Sequence, residues 1–241
     1  MGTVELIEPP SIRANTPAML SLGGADLVID PAGALFWAEE SLIVVADLHL
    51  EKGSAYAARR IFLPPYDTAV TLARLAALIA AYAPRRVLAL GDSFHDTAAA
   101  ARLSGADRAR LVDLQKGRDW IWIAGNHDPQ IPAQLSGDRH DEIRLGAITF
   151  RHAPSPAAEG VEIAGHLHPA ARVVGSGGSV RRRCFVSDDR RCVMPAFGAF
   201  AGGLNWRDPV FAALIGESDG FAHVMGRDRV YKVSAANCLP D

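Results

Sequence analysis

Cysteine is scarce in this chain, with three residues, Cys184, Cys192 and Cys238, in 241. An odd, sparse set with no C-x-x-C argues against a disulfide framework, a zinc ribbon or thioredoxin chemistry, and points to reduced thiols in a cytoplasmic protein. A hairpin pairing of Cys184 with Cys192 is the alternative to free thiols. Excess charge of either sign is also missing. The formal net charge is −2, so a nucleic-acid partner would have to be held by a local patch and not by overall attraction. No apolar run approaches the ~18 residues of a membrane helix. The opening stretch, "MGTVELIEPPSIRANTP", carries acids and prolines and lacks the apolar core of a signal peptide. There is no internal repeat. What is present is a composition of 49% hydrophobic and 22% charged residues, as in a globular chain with a substantial core. The length suits one large domain over residues 1–241.

Periodicity divides the chain into two halves. "ADLVIDPAGALFWAEESLIVVAD" reads as short strands broken by turns at residues 31–33 and 39–41. "LIVVA" (Leu42–Ala46), "RVLAL" (Arg86–Leu90) and "WIWIA" (120–124) are continuous apolar runs, as expected of strands covered on both faces. Between the first two, Pro64 and Pro65 delay a helix that Asp67 or Thr68 can cap, with Leu72, Leu75, Ile79 and Tyr82 on one face. A second helix is expected within residues 105–116. The order β–α–β–α–β implies parallel strands with right-handed crossovers. The second half is a series of short strand candidates: "AITFRHA", "VEIAGH", "RCFVS", "RCVMPAF", "VFAALIG", "FAHVMG" and "RVYKVS". They suggest a further, mostly antiparallel sheet packed on the first, with "GSGGSV" (175–180) as a flexible loop. The fold class is therefore α/β, two packed mixed sheets flanked by helices.

Each buried strand of the first half runs into polar residues. Asp47-Leu48-His49 follow "LIVVA", Gly91-Asp92 follow "VLAL", and Gly125-Asn126-His127-Asp128 follow "WIWIA". Later, His152 follows "AITFR", and Gly165-His166-Leu167-His168 follow "VEIA". Ligand sites in open parallel sheets gather at the carboxyl ends of strands, so these groups should meet in space. Asp, Asn and His supply hard oxygens and borderline nitrogens without a thiolate, which suits Mn²⁺, Fe, Zn²⁺ or Mg²⁺. On an extended strand, Asp47 and His49 would point the same way, as would His166 and His168. Any one of these residues alone would be an ordinary loop polar; seven of them on five strand ends make a metal centre.

The order D-x-H, GD, GNHD, H, GHxH resembles the calcineurin-like binuclear metallophosphoesterases. The blocks span about half the chain. Lower-specificity stretches, "VADLHLEKGSAYAARR", "LPPYDTAVTLARL", "LGDSFHD" and "MPAFGAFAGGLN", look like the bacterial DNA-ligase-associated metallophosphoesterases, the DNA damage response endonuclease group. The resemblance implies that fold, and two divalent cations, Mn²⁺ first with Fe or Zn²⁺ as alternatives. One cation would be held by Asp47, His49, Asp92 and His168, and the other by Asp92, Asn126, His152 and His166, with Asp92 bridging. It implies DNA, single-stranded or damaged, as substrate, a role in DNA repair, and functional association with a DNA ligase and helicase.

Two cations ~3.5–4 Å apart can lower the pKa of a bridging water toward ~7, and the resulting hydroxide would attack phosphorus in line with the leaving oxygen. His127, adjacent to Asn126 and diverging from it, is free to contact phosphate or protonate the leaving alkoxide. Asp128 either orients His127 or stabilises the turn. His95, in "GD-x-x-H", is a second catalytic candidate. Lys52, Arg59 and Arg60 are candidates for binding substrate phosphates. The basic stretch Arg181, Arg182, Arg183, Arg190 and Arg191, interrupted by Asp188 and Asp189, reads as a solvated hairpin or a DNA contact. His140 and His223 have no motif partner and read as structural or surface residues; Phe197 and Phe200 read as core. The leading reading is thus a DNA phosphodiesterase. The alternatives are a nucleotide or other small-molecule phosphodiesterase or phosphomonoesterase, and a scaffold that has lost catalysis, for which the ligand set would be broken.

Overall fold

The computed structural model describes residues 16–61, 63–64, 66–128, 135–175, 178–216 and 220–241. Seven strands form the first sheet: β1 (Ala18–Leu22), β2 (Ala25–Asp30), β3 (Ala34–Trp37), β4 (Leu42–Ala46), β5 (Arg86–Leu90), β6 (Asp119–Ile123) and β7 (Asp138–His140), paired in that order. β1 to β4 make an antiparallel meander, and β4 to β7 run parallel. The second sheet holds β8 (Glu142–Leu145), β9 (Ile148–Arg151), β10 (Val161–Ala164), β11 (Ala170–Gly175), β12 (Gly178–Ser187), β13 (Arg191–Val193), β14 (Phe221–Met225), β15 (Val230–Ser234) and β16 (Cys238–Leu239). Most of its pairings are antiparallel, but β9, β10 and β13 are parallel neighbours.

The two sheets share one core. Leu27, Ile29, Leu35, Val44 and Leu88 of the first pack with Ile148, Phe150, Ile163, Phe185 and Met194 of the second. Apolar burial of this kind is worth about 25 cal/mol per Å², and it sets which face of each strand turns inward. Helices α1 (Lys52–Ala58), α2 (Asp67–Tyr82), α3 (Ala99–Arg102) and α4 (Gly105–Gln115) accompany the first sheet, where Leu72, Leu75, Leu78 and Ile79 of α2 pack against Ile43, Val45, Val87 and Ala89. α5 (Pro209–Ile215) covers the second sheet through Phe211, Leu214 and Ile215.

Several expectations are corrected. "VFAALIG" is helix, not strand, because Asp208 caps it by accepting from Val210 N (3.0 Å) and Pro209 fits the first helical turn. Asp67 and Thr68 do not cap α2, whose N-cap is Tyr66. They hold the start of α1 instead: Gly53 N donates to Asp67 Oδ2 (2.9 Å) and Glu51 N to Thr68 Oγ1 (2.8 Å). In "GSGGSV", residues 176–177 lie outside the described residues, and the residues from Gly178 belong to β12, paired with β11. The three cysteines are free and buried, and Cys192 faces Ser187, not Cys184. Phe197 is core, but Phe200 is 49% exposed. No helix among the described residues is long and apolar enough to cross a membrane.

Candidate metal centre

All five polar blocks meet at the carboxyl ends of β4, β5, β6, β9 and β10. The register explains why: β4, β5 and β6 are paired in parallel, and β9 and β10 likewise, so their ends lie side by side. The strands stop before the ligand positions. Asp47, His49, Asp92, His166 and His168 have φ of 52°, 43°, 44°, 69° and 48°. The expected extended D-x-H and H-x-H segments are therefore replaced by left-handed turns, because each chain must leave the sheet as it delivers its side chain. Such backbone costs of order 1–3 kcal/mol per residue and persists where the surroundings enforce it. Glycines make the room. A Cβ at Gly91 would lie 2.4 Å from His152 Nδ1, at Gly125 2.1 Å from Asp92 N, and at Gly165 2.5 Å from Asp47 Oδ2.

The seven candidate ligands form two abutting groups. Asp47, His49 and His168 offer atoms within 4.8 Å of one another, and so do Asp92, His152 and His166. In the first, His49 Nε2 and His168 Nε2 are 3.3 Å apart and His168 Nε2 is 3.4 Å from Asp47 Oδ1. In the second, His152 Nε2 lies 2.9 Å from Asn126 Oδ1, 3.1 Å from His166 Nδ1 and 3.5 Å from Asp92 Oδ1. Asp92 joins the groups, its Oδ2 being 4.0 Å from His49 Nε2. Backbone amides aim the carboxylates: His166 N donates to Asp47 Oδ2 and His127 N to Asp92 Oδ1, both at 2.9 Å.

The donor set fits cations. Leu90 O can only accept, so His152 Nδ1 donates to it (3.1 Å) and Nε2 turns its lone pair toward the Asn126 and Asp92 oxygens. Asp47 Oδ1 is buried without a hydrogen-bond partner. Burial, then the neighbouring His168 and His127, push His49 down to about 2, and burial and His152 lower His166. Electron-rich atoms facing one another in a partly buried cleft, with His49 and His166 held neutral, are what N/O ligation of a divalent ion requires.

His127 and His95 stand beside the first group. His127 Nδ1 donates to His95 O (2.7 Å), which directs Nε2 toward Asp92 Oδ2 at 3.8 Å, and the ring is partly exposed. The His95 ring stacks on His127 at 5.5 Å and lies 5.6 Å from His49; burial first and the Lys52 charge second lower its pKa. Asp128 does not touch His127. It accepts from Gly125 N (3.2 Å) and Phe94 N (3.0 Å), so it holds the turn, and burial raises its carboxyl to about 6. Lys52 donates to Phe200 O (3.1 Å). Arg59 is exposed, and its charge reaches His95. Arg60 is exposed and, among the described residues, makes no hydrogen bond or ion pair with the centre. Of the basic stretch, Arg191 is a buried structural residue on Glu162 (2.8 Å), and Arg181 pairs with Asp241 (3.0 Å). His140 is exposed; His223 is buried against Ser187 (2.8 Å). The sequence reading quoted the segment after β13 for its resemblance but assigned it no place at the site. Phe197 N donates to Ala46 O (2.8 Å) and Gly198 N to Asp47 O (3.1 Å), so this segment backs the D-x-H turn. The Gly-rich "GAFAGG" was its visible signal: a Cβ at Gly198 would lie 2.2 Å from Leu48 O, and one at Gly203 2.0 Å from His168 O.

Two packed mixed sheets flanked by helices are a metallophosphoesterase-type fold, and the Asp, Asn and His cluster at their strand ends is consistent with the calcineurin-like group. Among solved structures, the chain is similar to the Pseudomonas putida nuclease MPE, at 28% identity and a TM-score of 0.70, over 90% of this chain and 100% of that one. The Yfce phosphoesterase of E. coli aligns more loosely, at 12% identity and a TM-score of 0.40, over 80% of this chain and 98% of that one. No family model matches the sequence, and no curated protein does.

Proposed function

We propose that the protein is a metal-dependent phosphodiesterase that hydrolyses DNA, with two divalent cations, Mn²⁺ foremost, as its cofactors. The observation that carries this reading is the convergence of seven N/O donors from five strand ends into two groups joined by Asp92. Similarity to a nuclease across 90% of the chain favours a nucleic-acid ester over a small molecule. Asp47, His49, Asp92 and His168 would hold one cation; Asp92, Asn126, His152 and His166 the other. When bound, such a pair neutralises phosphate charge and activates water at neutral pH.

The chain's own groups supply the rest. The left-handed turns and the amides of His127 and His166 hold the carboxylates in place, so little reorganisation is needed when charge develops on the phosphate. His127, fixed through Nδ1 on the His95 carbonyl, presents Nε2 to the phosphate and can hold the proton that the leaving oxygen needs. His95 positions it, and Arg59 adds positive charge on the same side. A role in DNA repair alongside a ligase and helicase in the cytoplasm is part of the same proposal, resting on the resemblance of the sequence motifs.

The test is to load the protein with Mn²⁺ and offer single-stranded DNA, duplex DNA and bis(p-nitrophenyl) phosphate. Cleavage of DNA together with the generic ester is expected. Hydrolysis of the ester with both DNAs intact would sink the nuclease reading and leave a small-molecule phosphodiesterase.

A further inference from the structure

Two arginines outside the metal centre have no anionic partner among the described residues. Arg183 on β12 donates from Nη1 to Ala196 O at 2.7 Å, and Arg74 on α2 donates from Nη1 to Phe197 O at 2.7 Å. They thus converge on successive carbonyls of the segment after β13. Arg74 also lies over the Phe197 ring at 5.4 Å. A guanidinium carries five N–H donors, and these contacts occupy one on each residue. Among the described residues, no carboxylate lies within ion-pair distance of either. Burial lowers both, Arg183 to about 10, with the charge of Arg74 as its second cause. Two neighbouring, half-buried like charges without a counter-ion are unfavourable unless something arrives to neutralise them. Both residues remain partly accessible.

Their position narrows what arrives. The segment they grip is the one whose next amide, Gly198 N, donates to Asp47 O at 3.1 Å. On its other side Arg183 pairs with Ala170, two residues past His168. The arginines are therefore separated from the metal centre by a single stretch of backbone. A planar fork of N–H donors matches the oxygens of a phosphate. An anion that must lie beside the scissile phosphate, and that belongs to the same substrate, is the next phosphodiester of a polynucleotide.

We infer that Arg74 and Arg183 form a second phosphate site, which holds a flanking, uncut phosphate of the polynucleotide while the metal centre holds the scissile one. This rests on the proposed activity on DNA. The site sets affinity and register for long substrates and does not take part in bond cleavage.

The test uses the Mn²⁺-loaded full chain with Arg183→Gln, Arg74→Gln and the double variant, assayed on an oligonucleotide and on bis(p-nitrophenyl) phosphate, which has no second phosphate. Glutamine keeps one amide donor for the carbonyl that each arginine holds. Each single variant should raise KM for the oligonucleotide roughly tenfold and flatten its salt dependence by about one phosphate contact. Turnover, and both constants on the generic ester, should stay as in the wild type. Equal losses on both substrates would overturn the inference in favour of a structural prop, and an unchanged oligonucleotide KM would overturn it outright. Should the glutamine variants fail to fold, Arg183→Lys carries the same test. It keeps the charge and loses the fork, so KM should rise on the oligonucleotide alone while the salt dependence is retained, and a wild-type KM would refute the site. A wild-type protein that cuts the ester and no oligonucleotide would instead refute the nuclease reading, which is a separate outcome.

Discussion

At the scale of single residues, His127 shows how a neighbour assigns a role. Its Nδ1 is committed to the His95 carbonyl at 2.7 Å, which turns Nε2 on the opposite edge of the ring toward Asp92 Oδ2 at 3.8 Å, and under the proposed function that edge would meet the substrate. Its ring is partly exposed, and the seven candidate ligands make up their two groups without it. His127→Ala should therefore lower turnover on DNA by about 10²–10⁴, the usual range for a lost general acid, with metal content unchanged by elemental analysis. Loss of metal in this variant would move His127 into the ligand set. Asp128, only one residue on, illustrates the opposite case. Its spacing allowed an orienting role, but its carboxylate is spent on the amides of Gly125 and Phe94. Such choices depend on which donor lies within 3 Å, and spacing along the chain does not encode that.

At the scale of elements, β12 and β14 are joined below their backbone ladder by a buried pair, Ser187 Oγ and His223 Nε2, 2.8 Å apart. Burial first, and the charge of Lys232 second, hold His223 down to about 4. In the unfolded chain the ring has its ordinary value near 6.5. As pH falls through 6.5 the unfolded chain takes up the proton first, so this contribution to stability is intact above 6.5 and is lost between 6.5 and about 4. The difference corresponds to about 3 kcal/mol. Thermal melting should fall more steeply with acidification in the wild type than in His223→Gln over that window. Parallel curves would show that His223 is not the responsible group. Elements also show where periodicity misleads. "VFAALIG" alternates no better as strand than as helix, and the decision came from Asp208 and Pro209 at its start. Asp67 and Thr68 have the chemistry of helix caps, yet they are drawn to Gly53 and Glu51 by a packing that local sequence does not reveal.

At the scale of the whole molecule, the candidate metal centre lies where both sheets end, so cations bound there would tie the two together. The buried Asp47 oxygen without a partner and the facing imidazoles are a standing electrostatic cost in their absence. Saturating Mn²⁺ at a hundredfold Kd would add about 2.7 kcal/mol per site and raise the Tm by roughly 5–10 °C for each site filled in a chain of this size. Chelation should reverse the shift, followed by differential scanning calorimetry. A melting curve indifferent to both additions would mean that these side chains hold no cation in the native state.

The sequence by itself determined the parallel strands β4, β5 and β6, a helix between the first two of them, the change of character in the second half and the seven candidate ligand residues. These are legible because burial imposes periodicity, and because D-x-H, GD, GNHD and GHxH carry their chemistry in adjacent positions. The tertiary structure alone decided the left-handed turns that aim the ligands, the assignment of Asp128 to the turn, and the exposure of Phe200. It also brought Arg74 and Arg183 together from α2 and β12, 109 positions apart in the chain. These features depend on contacts between segments far apart in sequence. Their energies are set by which atoms the two packed sheets bring within hydrogen-bonding distance, and no local pattern of residues records that.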